Sequence, residues 1–273
     1  NVILNLFFVI VCKMAADGVA LASVISQYVS AILVVWHMMR LNDACKFYFQ
    51  RLRFHGDEVG RILGLGVPAG IQHMIFAIAN LFIQAAVNSF DSTMVSGNAA
   101  AANTDTIIYN IMMAFYTACS TFMGQNWGAG HKKRMMDSYL ISLFYAFAVA
   151  AVLGVAFYFA GRPFLYVFTN SADVVEAGMQ RMKIMCFSYA ISAFMDNTIA
   201  ACRGLGRTIV PTVVVIMGSC VFRVIWVYTI FAHYHTIPSL YLLYAFSWTI
   251  TAAAEIVYFL HCFRKLRLVP ETA

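Results

Sequence analysis

The sequence predicts an all-α polytopic membrane protein, and three observations carry this prediction. Of the 273 residues, 62% are hydrophobic and only 11% are charged, whereas soluble domains carry about 25% charged residues. Apolar runs long enough to cross a bilayer, which takes about 20 residues in a helix, recur along the whole chain. These runs lack the regularly spaced polar residues of a water-exposed helix face, so lipid is the expected solvent for their outer surfaces.

Eight apolar stretches follow one another along the chain. The first begins at Asn1 and is too short to span, so we expect it to be a helix whose beginning lies outside this sequence. Each of the other seven is long enough to cross the membrane. The stretches are roughly 1–12, 18–39, 62–88, 94–123, 138–160, 183–202, 208–232 and 238–262.

One polar segment divides the chain into parts. Residues 41–60 mix charged and apolar side chains, which is typical of a surface segment between two membrane bundles. We therefore predict the last two transmembrane helices of one lobe in 1–40, the first of them incomplete. A cytoplasmic linker over 41–60, a six-helix lobe over 61–265 and a cytoplasmic tail over 266–273 are expected to follow.

The basic residues predict the orientation of the chain. The net charge of +6 would suggest nucleic acid in a soluble protein. If the loops alternate sides, however, 13 of the 18 Lys and Arg residues lie on one side, which the positive-inside rule makes cytoplasmic. We expect a multi-pass protein of the cell membrane with a cytoplasmic C-terminus, surrounded by lipid and without a nucleic-acid partner. The seven cysteines are scattered with no C-x-x-C pair, so no metal site is expected.

Three carboxylates inside spanning stretches are candidates for ion or proton coupling. Asp105 shares one helix face with Tyr109, Met112 and Tyr116 by i+3 and i+4 spacing. A carboxylate above aromatic and thioether groups suits a lipophilic cation, so these residues are also candidates for a substrate cavity. The alternative is that Asp105 links helices, while the Tyr and Met side chains only pack against neighbouring helices.

The other two carboxylates, Asp196 and Glu255, lie at a similar depth, ~10 Å from the cytoplasmic ends of their helices. A shared depth allows a shared coupling site, although Glu255 could instead extend toward the cytoplasmic headgroups. Arg223 falls in the middle of its stretch and needs a partner, either Asp105 or a helix carbonyl end. For Arg223 we favour structural pairing over ligand contact.

A polar stripe runs along the stretch 62–88. Gln72, Asn80 and Gln84 repeat at multiples of four, with Phe76 at the missing step. The stripe is too polar for lipid, so it faces protein or water. Hydrogen bonds between helices and a substrate cavity both account for it.

Four strings carry a resemblance to a known family. They are GLGVPAGIQ at 64–72, GNAAAAN at 97–103, FMGQNWGA at 122–129 and RGLGRTIVP at 203–211. In this order and spacing the sequence resembles the MATE family, the multidrug and toxic compound extrusion transporters, from the family's fifth helix to its twelfth. The Gly-rich strings at 124–130 and 203–207 lack the spacing of phosphate loops and are expected to end helices.

The resemblance implies two six-helix lobes around a cavity that opens alternately to each side. It implies export of drugs or other amphipathic, often cationic, molecules in exchange for Na⁺ or H⁺, with no organic cofactor. Asp196 resembles an acid that many members carry on their tenth helix and that is linked to coupling. The resemblance also implies that the preceding lobe of the same protein is the partner of this chain.

Two other functions compete with this one. A flippase for lipid-linked oligosaccharides, with a related fold, would need a more basic cavity than the single deep Arg223 offers. An intramembrane enzyme would need paired catalytic groups, and only Asp196 with Glu255 could supply them.

Overall fold

The computed structural model describes residues 1–41 and 46–266, apart from the side chain of Arg51. Within that part, seven helices are long and apolar enough to cross a membrane, and a shorter apolar helix precedes them. The predicted all-α architecture with seven spans is therefore confirmed. The helices are α1 (Val2–Val11), α2 (Ala16–Arg40), α3 (Gly56–Val87), α4 (Ser92–Gly128), α5 (Lys132–Leu165), α6 (Ala172–Gly204), α7 (Ile209–Tyr234) and α8 (Ile237–Lys265).

The chain divides into two compact units, residues 1–59 and the residues from Gly60 onward. In the first unit, α1 and α2 form a hairpin in which Asn1 Nδ2 donates to Ser26 Oγ at 3.0 Å. The helix α3 begins at Gly56, inside the segment predicted as a linker. Asp57 and Glu58 in its first turn favour this earlier start because they interact well with the helix dipole. Of the predicted linker and tail, residues 42–45 and 267–273 lie outside the described residues.

The second unit is built around α6, which packs against α4, α5 and α8. Of the residues in its apolar stretch, 67% are buried, a larger share than in any other spanning helix of the described chain. Small residues allow the close packing: a Cβ on Gly97 of α4 would lie 2.7 Å from the backbone nitrogen of Gly178 of α6. Such contacts are how membrane helices approach closely without a hydrophobic driving force between them.

The helices α4 and α6 end at glycines, as the Gly-rich strings predict. The helix α4 ends at Gly128 and α6 at Gly204. Gly130 and Gly206 follow with φ of +75° and +69°, the left-handed conformation that glycine adopts without steric cost. The chain can therefore reverse direction within a few residues.

We expect Gly97→Ala to lower the melting temperature of the detergent-purified protein by several degrees. The added methyl group would overlap the backbone of α6 and cost about 1–3 kcal/mol. Gly128→Ala is the matched control, because a Cβ there meets nothing within 4 Å. Equal melting temperatures for the two variants would contradict the close approach of α4 and α6.

Candidate functional site

The second unit contains a partly open cavity of about 790 Å³. Its wall is formed by the helices α3, α4, α6, α7 and α8. The volume lies within the range of small-molecule sites, roughly 300–1,000 Å³. The wall combines aromatic and thioether groups with amides and charged side chains, so it suits an amphipathic ligand.

The seven residues predicted from the sequence to line a cavity all lie in this wall. Gln72 Oε1 accepts a hydrogen bond from Arg203 Nη2 at 3.0 Å, and Gln84 Nε2 donates to Asn88 Oδ1 at 2.9 Å. The polar stripe of α3 thus forms hydrogen bonds and faces the cavity at the same time. The seven residues are Gln72, Phe76, Asn80, Gln84, Tyr109, Met112 and Tyr116.

Asp105 lines the cavity and is held in a network that joins three helices. Its carboxylate accepts hydrogen bonds from Arg181 and Tyr189, both on α6. Arg181 is only 5% exposed, and its Nη1 also donates to the Asn98 carbonyl of α4 at 3.0 Å. The Tyr241 hydroxyl of α8 donates to Asn98 Oδ1 at 2.7 Å. Asp105 is therefore charge-compensated and links helices.

Asp196 and Glu255 lie in different surroundings. Asp196 lines the cavity and forms no hydrogen bond or salt bridge with any described residue. Glu255 is 0% exposed and lies outside the cavity wall, and neither of its carboxyl oxygens has a hydrogen-bond partner in the described chain. The two residues share a depth but not a site. Glu255 also does not extend to the headgroups, because the packing of α8 against α6 and α7 encloses it.

Arg223 lies at the cavity wall inside an aromatic cluster. Its guanidinium carbon is 4.5 Å from the ring centre of Tyr244, 5.5 Å from that of Phe76 and 5.6 Å from that of Trp248. Its Nε donates to Ser247 Oγ at 3.1 Å. The sequence offered either Asp105 or a helix carbonyl end as the partner of Arg223. Asp105 pairs with Arg181 instead, and the hydrogen bond of Arg223 within the described chain goes to the Ser247 hydroxyl and not to a carbonyl.

Comparison with known proteins decides the family of this chain. The family model described as MatE matches residues 68–229, more than half of the sequence. The chain belongs to the MatE family. The cavity wall from Gln72 to Arg223 falls within the matched region. The family is one of transporters, which removes the support for an intramembrane enzyme.

Curated relatives of this MatE chain include two bacterial proteins. The "Probable multidrug resistance protein YpnP" of Bacillus subtilis is 29% identical over 189 residues, which cover 69% of this chain and 42% of the relative. The "FAD transporter" of Shewanella oneidensis is 24% identical over 169 residues, which cover 60% of this chain and 36% of the relative. The chain thus spans about two fifths of the length of these relatives.

Solved structures share the fold over nearly the whole chain. A MOP superfamily transporter from Pyrococcus furiosus, described as having a binding pocket of reverse polarity, aligns with a TM-score of 0.87 at 16% identity. A multidrug resistance MATE family transporter in the outward-facing conformation aligns with a TM-score of 0.87 at 17% identity. Each match covers 96% of this chain and 60% or 59% of the solved one.

Several residues of the wall were missed from the sequence. Arg181 lies nine residues after the start of α6 at Ala172 and lines the cavity. Tyr241, Tyr244 and Trp248 also line the cavity, and their i, i+3, i+7 spacing on α8 would have indicated one shared face. Arg203, near the C-terminal end of α6, also reaches the wall. Helix periodicity was thus an available signal for the aromatic face.

We expect Asp105→Asn to destabilise the protein by about 3 kcal/mol, because it leaves the buried Arg181 charge without its counter-ion. The double variant Asp105→Asn with Arg181→Gln should recover part of that loss. Thermal unfolding in detergent measures both. Arg162→Gln is the control, since it breaks an exposed ion pair with Glu176 that contributes roughly 0–1 kcal/mol. Additive losses in the double variant would argue against the pairing.

Proposed function

We propose that this chain is part of a secondary active antiporter that exports drugs or other amphipathic small molecules in exchange for Na⁺ or H⁺. The observation that carries the proposal is Asp196, a membrane-embedded carboxylate that lines the cavity without a partner among the described residues. Intramembrane carboxylates are costly and typically mark ion or proton pathways. A carboxylate open to a cavity can take up and release a cation without breaking a structural contact.

Alternating access requires a second lobe opposite this cavity. The chain spans only part of its relatives, and its match to solved transporters covers 60% of their length or less. We propose that a preceding lobe of the same protein completes the site, with lipid around both. The two lobes would rock against each other around the bound substrate.

The three predicted coupling residues differ in the support that they receive. Asp196 has the strongest support, because its carboxylate lines the cavity and forms no hydrogen bond or salt bridge with a described residue. Asp105 also lines it, but a cation would have to compete with Arg181 for the carboxylate. Glu255 has the weakest support, because it is enclosed and an ion has no open route to it from the cavity.

A multi-pass placement in the cell membrane with a cytoplasmic C-terminus fits the positions of the helix ends. Lys132 and Lys133 at the start of α5 and Arg264 and Lys265 at the end of α8 fall on one side when the spans alternate. The excess of basic residues on that side supports its cytoplasmic location.

A flippase for lipid-linked oligosaccharides is the second candidate. From the sequence we expected a flippase to need a more basic cavity than a single deep arginine would provide. In the structure, three arginines line the wall, namely Arg181, Arg203 and Arg223. This observation keeps the flippase as a competitor. Vesicle assays with a soluble dye and with a lipid-linked sugar would separate the two functions.

We expect vesicles containing the complete gene product to export a fluorescent amphipathic dye under an inward Na⁺ or H⁺ gradient. Asp196→Asn should reduce this gradient-driven export at least several-fold, because the amide cannot bind the coupling cation. Arg162→Gln, far from the cavity wall, is the control and should transport normally. Unchanged export by Asp196→Asn would remove the coupling role from this residue.

We expect Glu255→Gln to keep export within about two-fold of wild type, because the exchange preserves the shape of the side chain and Glu255 lies outside the cavity wall. The same vesicle assay measures it. A loss as large as that of Asp196→Asn would instead move the coupling site into the enclosed core around α8.

A further inference from the structure

The cavity wall carries more positive than negative charge. Three guanidinium groups, those of Arg181, Arg203 and Arg223, face two carboxylates, those of Asp105 and Asp196. This balance differs from a site built for cations, in which carboxylates would outnumber basic groups.

The excess charge is concentrated near one part of the wall. Arg181 is neutralised directly by Asp105. Arg203 and Arg223 form no salt bridge with any described residue, and Asp196 is the carboxylate whose field acts on both of them. Glu255, which lies outside the wall, acts on Arg203 as well but not on Arg223. Arg203 therefore has two carboxylates in its field and Arg223 has one, which leaves Arg223 the less compensated of the two arginines.

Arg223 has a hydrogen-bond donor without a partner. It is 2% exposed, and within the described chain its Nη2 has no hydrogen-bond partner. The Ser247 hydroxyl and the rings of Tyr244 and Trp248 stabilise the guanidinium, but none of these groups is negatively charged. Cation–π contacts stabilise the guanidinium but leave its net charge in place. A buried charge with an unpaired donor is energetically costly unless a ligand accepts the missing hydrogen bond.

The aromatic residues around Arg223 define the rest of the ligand. Phe76, Tyr244 and Trp248 are half-buried and line the cavity beside the guanidinium. Their faces can stack against a planar apolar body, while a carboxylate or phosphate accepts hydrogen bonds from the guanidinium.

We propose that this cavity recognises an anionic substrate, an aromatic carboxylate or phosphate whose negative group pairs with Arg223 and whose ring system packs on Phe76, Tyr244 and Trp248. The proposal rests on the proposed function insofar as the cavity is the substrate site. It replaces the cationic preference that the sequence suggested. Asp196 limits the affinity for the anion, since it competes with the ligand for the charge of Arg203 and Arg223.

The test is a binding measurement without any ion gradient. The complete gene product is placed in nanodiscs of zwitterionic lipid, and binding of fluorescein and rhodamine 123 is followed by fluorescence anisotropy. The two dyes share a xanthene ring system, but fluorescein is anionic and rhodamine 123 is cationic at neutral pH. The wild type should bind fluorescein more tightly than rhodamine 123.

Variants that remove either a positive or a negative charge from the cavity wall make the test specific. Arg223→Gln should weaken fluorescein binding about ten-fold and leave rhodamine 123 binding unchanged or tighter, whereas Arg223→Lys should keep most of the preference. Asp196→Asn should act in the opposite direction and tighten fluorescein binding several-fold. Arg162→Gln, an exposed residue outside the wall, should change neither dye.

Two results would overturn the anion site. One is tighter binding of rhodamine 123 than of fluorescein by the wild type. The other is an Asp196→Asn variant that does not favour the anion, and this result also decides the matter if Arg223→Gln fails to fold. If the wild type shows no gradient-driven export but still binds fluorescein more tightly than rhodamine 123, antiport is rejected and the anion site stands.

Discussion

The ion pair between Asp105 and Arg181 is the constraint on which the six-helix unit depends. Both charges belong to helices that lipid surrounds, where an isolated charge is costly, so α4 and α6 must keep the register that brings them together. The close approach at Gly97 makes this register possible. Asn98 then extends the network to Tyr241 of α8. Three of the five helices around the cavity are fixed by one set of polar contacts.

The central helix α6 carries two charged residues of the cavity wall in different surroundings. Arg181 and Asp196 lie fifteen residues apart on it, which corresponds to ~22 Å along the axis. The first is neutralised by a neighbouring helix, whereas the second lines the cavity without a partner among the described residues. Because α6 packs against α4, α5 and α8, a change in the occupancy of Asp196 acts on the helix that holds the unit together.

The selectivity that we propose for the cavity rests on the balance of charge in its wall. Asp105 and Arg181 cancel, so the field in the remaining wall comes from Arg203, Arg223 and Asp196. Membership of the MatE family does not fix the sign of that field. The side chains that surround Arg223 are aromatic rather than acidic, and this difference favours an anion over a cation.

The sequence by itself determined the membrane spans, the helix ends near Gly128 and Gly204 and the faces of α3 and α4 that line the cavity, because apolar length, glycine conformation and helical periodicity are local properties. Only the tertiary structure decided which charges meet. Asp105 pairs with Arg181 instead of Arg223, and Glu255 is enclosed although its depth matches that of Asp196. Depth follows from position along one helix, whereas pairing depends on the rotation and register of one helix against another.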